Sequence, residues 1–486
     1  MDYTTIKTFG ELKNTGYLSK TIKEELRQNL ITKIRQRENV FEGVYGYQET
    51  VIPELERAIL SKHNINLLGL RGQAKTRLAR LMVNLLDEYV PIVERSEIND
   101  DPYHPLSRYA VELLQEKGDD TPISWLHRNE RFSEKLATPD VTVADLIGDV
   151  DPIKAANLRL SYADDRVIHF GMIPRANRSI FVINELPDLQ ARIQVALFNI
   201  LQEGDIQIRG LRLPLDVQFV FTANPEDYTN RGSIVTPLKD RIGSQILTHY
   251  PTSVEIAKTI TAQEAALGAD QKESIYVPEL AREIIEQISF EARQSVYVDA
   301  KSGVSARMSI TAFQNLLSTA ELRMLQSGDK STAIRLGDFM GIIPAITGKV
   351  ELLYEGDQEG ADSVAIQLIE SAIKTLFPTL FPKIEKLERE NQRYPYDDIV
   401  NWFLDSDGIE LSDDLSNLDY QQKLAQVEPV NQLIQEYHPD TKPEDIYFLA
   451  EFVLWGLTLH NKLSKYRVDN GIQFQDSIQG YLRNNI

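Results

Sequence analysis

The chain is built around residues 64–89, NINLLGLRGQAKTRLARLMVNLLDEY. Residues 65–68 are short and mostly apolar, which predicts a buried strand. A tight turn follows, Gly69-Leu70-Arg71-Gly72-Gln73-Ala74-Lys75-Thr76. Leu78, Leu81, Met82, Leu85 and Leu86 then recur at helical spacing. A strand, a glycine turn and a helix opening on Lys-Thr make the pattern of a phosphate-binding loop. The order has a physical reason: backbone N–H groups at a helix start point at the phosphates, and the helix dipole favours negative charge there. In this pattern Lys75 reaches the β- and γ-phosphates and the Thr76 hydroxyl ligates Mg²⁺. Ala74 stands where a sixth-position glycine is usual, so the backbone has less freedom there. The plainer reading is a strand, turn and helix with a chance Gly-x-x-Gly.

A length of 486 residues suggests two to four domains. An apolar share of 42% beside 26% charged residues is ordinary for a folded chain. The 52 basic and 72 acidic residues leave a net charge of −20, which argues against a general nucleic-acid binder. Cysteine is absent, so disulfides and thiolate sites are excluded. The start, MDYTTIKTFGELKNTGY, lacks the apolar centre of a signal peptide. The longest apolar stretch, 446–459, contains Glu451 and is too short for a bilayer. The expectation is a cytoplasmic protein without a membrane span.

Residues 1–40 read as a polar helical lead-in. The turn Gly43-Val-Tyr45-Gly46-Tyr-Gln-Glu49 precedes a helix near 51–61. Such a turn, one helix ahead of a phosphate loop, is where many P-loop ATPases clamp adenine; a plain loop is the alternative. Residues 95–140 are charged and loop-like, with a helix near 106–116, and read as an insertion before the next strand. A second buried strand, 179–183, ends in Asn184-Glu185. Ligand groups collect at the carboxyl ends of strands in open α/β sheets. Two acids are usual at this end, the first for Mg²⁺ and the second for the attacking water. Here Asn184 replaces the first, which retains a hydrogen-bonding oxygen but brings no charge. A helix over 189–203 and a hairpin over 205–215 follow. A third strand, 217–222, ends in Asn224, which either orients a water near the γ-phosphate or merely opens an Asn-Pro turn. Arg241 closes a short helix before a fourth strand at 245–249. It reads either as a cap-region cation or as an arginine finger for a neighbouring subunit.

From residue 251 the pattern is helical, with Thr252 and Glu255 as a capping box. Helices are expected over 254–266, 278–293, 309–325 and 336–351, with no convincing strand. Arg307 opens the third, either as a second sensor of nucleotide or as a solvated arginine. Beyond 357 helices are expected over 366–376, 384–393 and 443–466, the last as a core helix or a partner-docking helix. Residues 405–413 lack calcium-loop ligand spacing and read as an acidic loop.

Four stretches now carry a family resemblance: GLRGQAKT, IPRANRSIFVINELPDL, LQEGDIQIRGLRLPLDVQFVFTANPED and TPLKDRIGSQI. The chain resembles the AAA+ ATPases of the magnesium-chelatase I-subunit and MoxR-like group, well over 43–250 and loosely over 251–354. The resemblance implies an α/β fold: a P-loop parallel sheet with helices on both faces, then an α-helical lid and an α-helical C-terminal extension. The implied domains are a lead-in at 1–40, a nucleotide-binding core at 41–250, a lid at 251–356 and an extension at 357–486. Residues 159–177 would be the helix-2 insert of this clade, and 205–215 its pre-sensor hairpin. ATP and Mg²⁺ are the implied cofactors, with Tyr45, Gly46, Gly69, Arg71, Gly72, Gln73, Ala74, Lys75, Thr76 and Arg77 around the nucleotide. Thr76 and Asn184 are the implied metal residues, and Glu185, Asn224, Arg241 and Arg307 the catalytic ones. A homo-hexameric ring is implied, working on an unknown client protein with a separate von Willebrand A domain protein. The readings that follow are a ring motor, a nucleotide-binding scaffold that barely hydrolyses, and the motor subunit of a true magnesium chelatase. A DNA-remodelling ATPase conflicts with the acidic charge.

Overall fold

The computed structural model describes residues 5–162, 164–208, 210–225, 233–384, 394–468 and 471–477. The chain forms two compact units, Met1–Tyr250 and Pro251–Ile486.

The first unit is built on five parallel strands: β1 (Ile65–Leu68), β2 (Phe132–Leu136), β3 (Ser179–Asn184), β4 (Val217–Ala223) and β5 (Ser244–Leu247). Their spatial order is β5-β1-β4-β3-β2. Ile65 pairs with Val220 on one side and Ser244 on the other, and Phe181 lies opposite Phe219. A parallel sheet is covered on both faces, so its strands read as continuous apolar runs. Every residue of β4 is buried, and all of β3 up to Ile183. The pleat sends alternate side chains to opposite faces. Ile180 and Val182 join Ile65, Leu67, Val220 and Ile246 in one core, beneath helices α1 (Ile22–Gln36), α2 (Val51–Leu60) and α3 (Lys75–Leu81). Phe181 and Ile183 join Phe219 and Phe221 in the other, against Ile193, Leu197 and Ile200 of α4 (Ala191–Glu203) and Leu238 of α5 (Thr236–Arg241).

Strand β2 corrects the reading of residues 95–140 as an insertion standing before the next strand. Phe132–Leu136 pairs in parallel with β3, Phe132 opposite Ile180, and forms an edge of the central sheet. Edge placement explains the missed signal: the β2 residues are half-buried or exposed, and charged side chains are tolerated there. The same stretch holds the helix Arg108–Lys117 and the strand Ile123–His127, which pairs antiparallel with Tyr89–Val93 just ahead of it. The helix read through residue 86 ends at Leu81 and continues as a 3₁₀ turn, Met82–Leu85. Around the insert read at 159–177, a helix Pro152–Leu158 lies between strands Gly148–Val150 and Ile168–Phe170, which pair with each other.

One buried ion pair fastens α1 to this unit. Arg131, immediately before β2, is 1% exposed and donates to both carboxylate oxygens of Glu25, at 2.7 and 2.6 Å. Its Nε donates to the Arg178 carbonyl, just before β3, while Glu25 also accepts the Asp87 backbone N–H. The charged lead-in is therefore an anchored helix, capped at Thr21 by a capping box with Glu24.

The second unit has one hydrophobic cluster that spans the residues read as lid and as extension. It gathers α6 (Glu279–Gln294), α7 (Arg307–Ser327), α8 (Ala361–Leu380) and α9 (Pro443–Leu459). The expectation of helices alone fails here. Strands β6 (Ile409–Ser412), β7 (Leu463–Val468) and β8 (Gly471–Asp476) form an antiparallel sheet in the order β6-β8-β7. Residues read as an acidic loop thus include β6, and those read as the end of the last helix form β7. Helix α9 is a core helix, with Phe452, Val453, Leu454 and Leu457 fully buried and Trp455 1% exposed. Residues 336–351 hold a 3₁₀ turn, Leu336–Ile342, and a short helix, Ile343–Thr347. The cap before Val254 is Ser253, whose hydroxyl accepts the Ile256 N–H, in place of Thr252. The expected helix over 384–393 lies outside the described residues apart from Ile384. No helix among the described residues is long and apolar enough to cross a membrane.

Removing one partner of a buried pair strands the other charge, at a cost of about 3–5 kcal/mol. Glu25→Gln is expected to destabilise the first unit by that order in urea unfolding, and a charge-free double variant, Glu25→Leu with Arg131→Met, to recover most of it.

Candidate functional site

The phosphate loop is shaped by backbone that few residues adopt. Gly72 has φ 74°, and Ala74, the residue before α3, has φ 55° and ψ 19°. Alanine thus takes the left-handed conformation that the pattern normally gives to glycine, at about 1–2 kcal/mol of strain. Gly69 is needed for another reason: a Cβ there would collide with the Thr248 hydroxyl and the Gln73 amide oxygen. Those two groups bond to each other at 2.7 Å and tie the loop to the end of β5. The buried Tyr47 hydroxyl adds a second tie, reaching the carbonyls of Gln73 at 2.9 Å and His249 at 2.7 Å. Burial pushes the Tyr47 phenol well above its ordinary range, so it remains a donor. The Tyr250 hydroxyl donates to the Arg71 carbonyl at 3.0 Å.

Three strand ends converge on this loop. The Lys75 side chain is 8% exposed. Its ammonium donates to the carbonyls of Gly69 and Leu70 and, at 2.8 Å, to Asn224 Oδ1 beyond β4. Asn224 Nδ2 in turn donates to Glu185 Oε2 at 2.7 Å. A second chain runs alongside. The hydroxyls of Thr76 and Thr222 both donate to Asn184 Oδ1, at 3.3 and 3.2 Å, and the Glu185 N–H donates to the Thr222 hydroxyl at 3.1 Å. Glu185 itself has φ 58°, a strained value of the kind that gathers at functional sites. An ammonium, two hydroxyls, a carboxylate and two amides thus meet at the carboxyl end of β1, β3 and β4.

Arg241 ends α5, exposed, paired with Asp240 at 2.8 Å and 5.9 Å from the Phe198 ring centre. Arg307 is exposed at the start of α7 in the second unit. Tyr45 is 39% exposed, and Gly46 beside it has φ 80°. Arg77 is half-buried in the first turn of α3. Sequence reasoning named Tyr45 and missed Tyr47, two residues on, because the turn alone does not say which ring faces inward. It also missed Thr222 and Thr248, whose only signal was their place at the ends of apolar runs.

This donor set suits a nucleoside triphosphate with a divalent cation. The first-turn N–H groups of a helix lack partners within it, and phosphate oxygens take them. Thr76 and Asn184 offer two neutral oxygens side by side. Among the described residues no cluster of three or more His, Cys, Asp or Glu is placed to hold a metal by itself, so a cation here would share its ligands with phosphate oxygens.

No family model and no curated protein matches the chain. Solved structures do. A candidate ATPase from Cytophaga hutchinsonii is 17% identical, covering 75% of this chain and 98% of its own, at a TM-score of 0.30. The complex of magnesium-chelatase subunits BchI and BchD gives 15% identity, 65% and 98% coverage and a TM-score of 0.34. NtrX from Brucella abortus gives 13% identity, 60% and 54% coverage and a TM-score of 0.34. Similarity this distant carries no functional weight. The strand order and the loop after β1 are consistent with the α/β AAA+ fold expected from the sequence.

Replacing a strained left-handed alanine with glycine relieves backbone strain and loses some through the freer unfolded chain. Ala74→Gly is therefore expected to stabilise the first unit by about 0.5–1 kcal/mol, read as a raised urea midpoint.

Proposed function

We propose that this chain is a Mg²⁺-dependent ATPase of the AAA+ type, acting as a ring motor on a protein partner. The observation that carries the reading is the hydrogen-bonded chain Lys75–Asn224–Glu185, which puts a phosphate-seeking cation and a carboxylate on either side of one amide.

In this reading the Lys75 ammonium exchanges its carbonyl acceptors for β- and γ-phosphate oxygens. Thr76 would hold Mg²⁺ directly and Asn184 through a water; the bound ion neutralises charge on the phosphates. Glu185 orients a water and accepts its proton as the water oxygen bonds to the γ-phosphorus. The bond to the bridging oxygen breaks, leaving ADP and phosphate. Asn224 holds the Glu185 carboxylate in line and keeps Lys75 in register. Arg241, exposed at the end of its helix, is suited to a neighbouring subunit's γ-phosphate, which is why a homo-hexamer is part of the reading. Arg307 would be the second sensor. A client protein and a separate von Willebrand A domain protein complete it, with magnesium chelatase as the narrower form.

A second reading is favoured by one observation. Asn184 supplies no charge to the ion, which suits a nucleotide-binding scaffold that turns over slowly. The two readings part on a single substitution. If charge at this position limits hydrolysis, Asn184→Asp raises phosphate release and lowers the Mg²⁺ concentration for half-maximal rate. Unchanged rates would remove Asn184 as the cause of slow turnover.

For the main reading, phosphate release is measured with Mg²⁺ and ATP. Lys75→Ala is expected to lose nucleotide binding and activity together. Glu185→Gln is expected to keep ATP bound while hydrolysis falls about 10²–10⁴-fold, the usual contribution of a positioned base. Full activity in Lys75→Ala would sink the proposal.

A further inference from the structure

At the amino end of the central sheet, opposite the phosphate loop, lies a cavity of about 260 Å³ within the first unit. Its polar side holds Lys23, Lys62 and Asp216, and its apolar side includes Leu201, Leu215 and Phe219. Lys62 already has a partner, Glu24 at 3.2 Å. Asp216 is engaged too: Oδ2 accepts the Ile22 N–H at 2.7 Å and so caps the start of α1. Lys23, in the first turn of that helix, has neither. Its ammonium makes no hydrogen bond or ion pair among the described residues, although the residue is half-buried on the cavity wall.

A half-buried ammonium normally finds an acceptor, because desolvation without compensation is costly. Burial lowers the Lys23 pKa, and the negative charge of Asp216 opposes the shift. Asp216 is pushed up to about 6, mainly by burial, against the Ile22 N–H bond and the pull of Arg178 and Arg131, with Glu25 adding to the rise. The cavity therefore holds a positive charge that no hydrogen bond engages, beside a carboxylate that resists a second negative one.

We propose that this cavity binds a small amphipathic monoanion, a carboxylate on a short apolar body. Lys23 receives the carboxylate, and Leu201, Leu215 and Phe219 receive the apolar body. A phosphate dianion fits less well, since its second charge would face Asp216. The location gives such a ligand a lever. Leu215 N–H donates to the Gly204 carbonyl at 3.0 Å, closing the base of the hairpin Asp205–Ile208 with Leu211–Pro214. Both residues line the cavity, so an occupant touches the hairpin base and α1 together.

The test titrates the full chain by calorimetry with three probes sharing one tail: hexanoate, hexanol and hexylamine. Hexanoate is expected to saturate a single site and to bind at least about tenfold more tightly than either other probe. Lys23→Met should weaken it at least about tenfold and Lys23→Arg should preserve it, while Leu201→Trp, which fills the cavity and leaves Lys23 intact, should abolish it. Circular dichroism checks that each variant folds. Absence of saturable hexanoate binding, equal binding of hexanol, preference for hexylamine, or indifference to Lys23→Met overturns the proposal.

Discussion

The site depends on where one buried ammonium finds its acceptors. Lys75 has three N–H donors, and burial makes an unmet donor expensive. Two loop carbonyls and the Asn224 side chain meet them. Because Asn224 directly follows β4 and bonds onward to Glu185 after β3, one lysine ties three strand ends together. Lys75, Asn224 and Glu185 are far apart in sequence. What makes them neighbours is the parallel order β1-β4-β3, which aligns three carboxyl ends on one rim. A polar cluster held this way is stiff, since each member has its place set by a partner.

The loop itself is held from behind rather than from the rim. Tyr47, Gln73, Thr248 and His249 form a set of hydrogen bonds that ties the turn to the last strand of the sheet. Gly69 is the contact point, with no room for a side chain. This support explains how Ala74 sustains a left-handed backbone: the surrounding bonds over-determine the turn, so the strain is tolerated. At the amino end of the strands, Glu25 and Arg131 serve α1 in a comparable way. Their charges are buried, but each oxygen and nitrogen has a partner, which is the condition under which such a pair persists.

Much of this was legible in the residues. The apolar runs at 65–68, 179–183 and 217–222 read as buried strands because a strand covered on both faces has no polar side to show. Their polar ends, Asn184-Glu185 and Asn224, stood out against them. Strand β2 gave no such signal. At an edge its residues are charged and partly exposed, so Phe132–Leu136 looks like loop until its pairing with β3 is seen. The sheet of the second unit was hidden for a related reason: β7 and β8 follow a long apolar helix with only a short break, and periodicity alone carried the helix too far.

The sequence by itself determined the phosphate loop, the order of strand and helix around it and the polar residues at the strand ends, because these are local patterns of three to twenty residues. Only the tertiary structure decided which tyrosine turns inward, that a charged leading helix is anchored by a buried arginine, and that Lys23 is left facing a cavity. Those outcomes depend on side chains more than a hundred residues apart meeting in space, as Glu25 and Arg131 do. Local periodicity has no access to such meetings, since hydrophobic and electrostatic pairing act on distance in the fold and not along the chain.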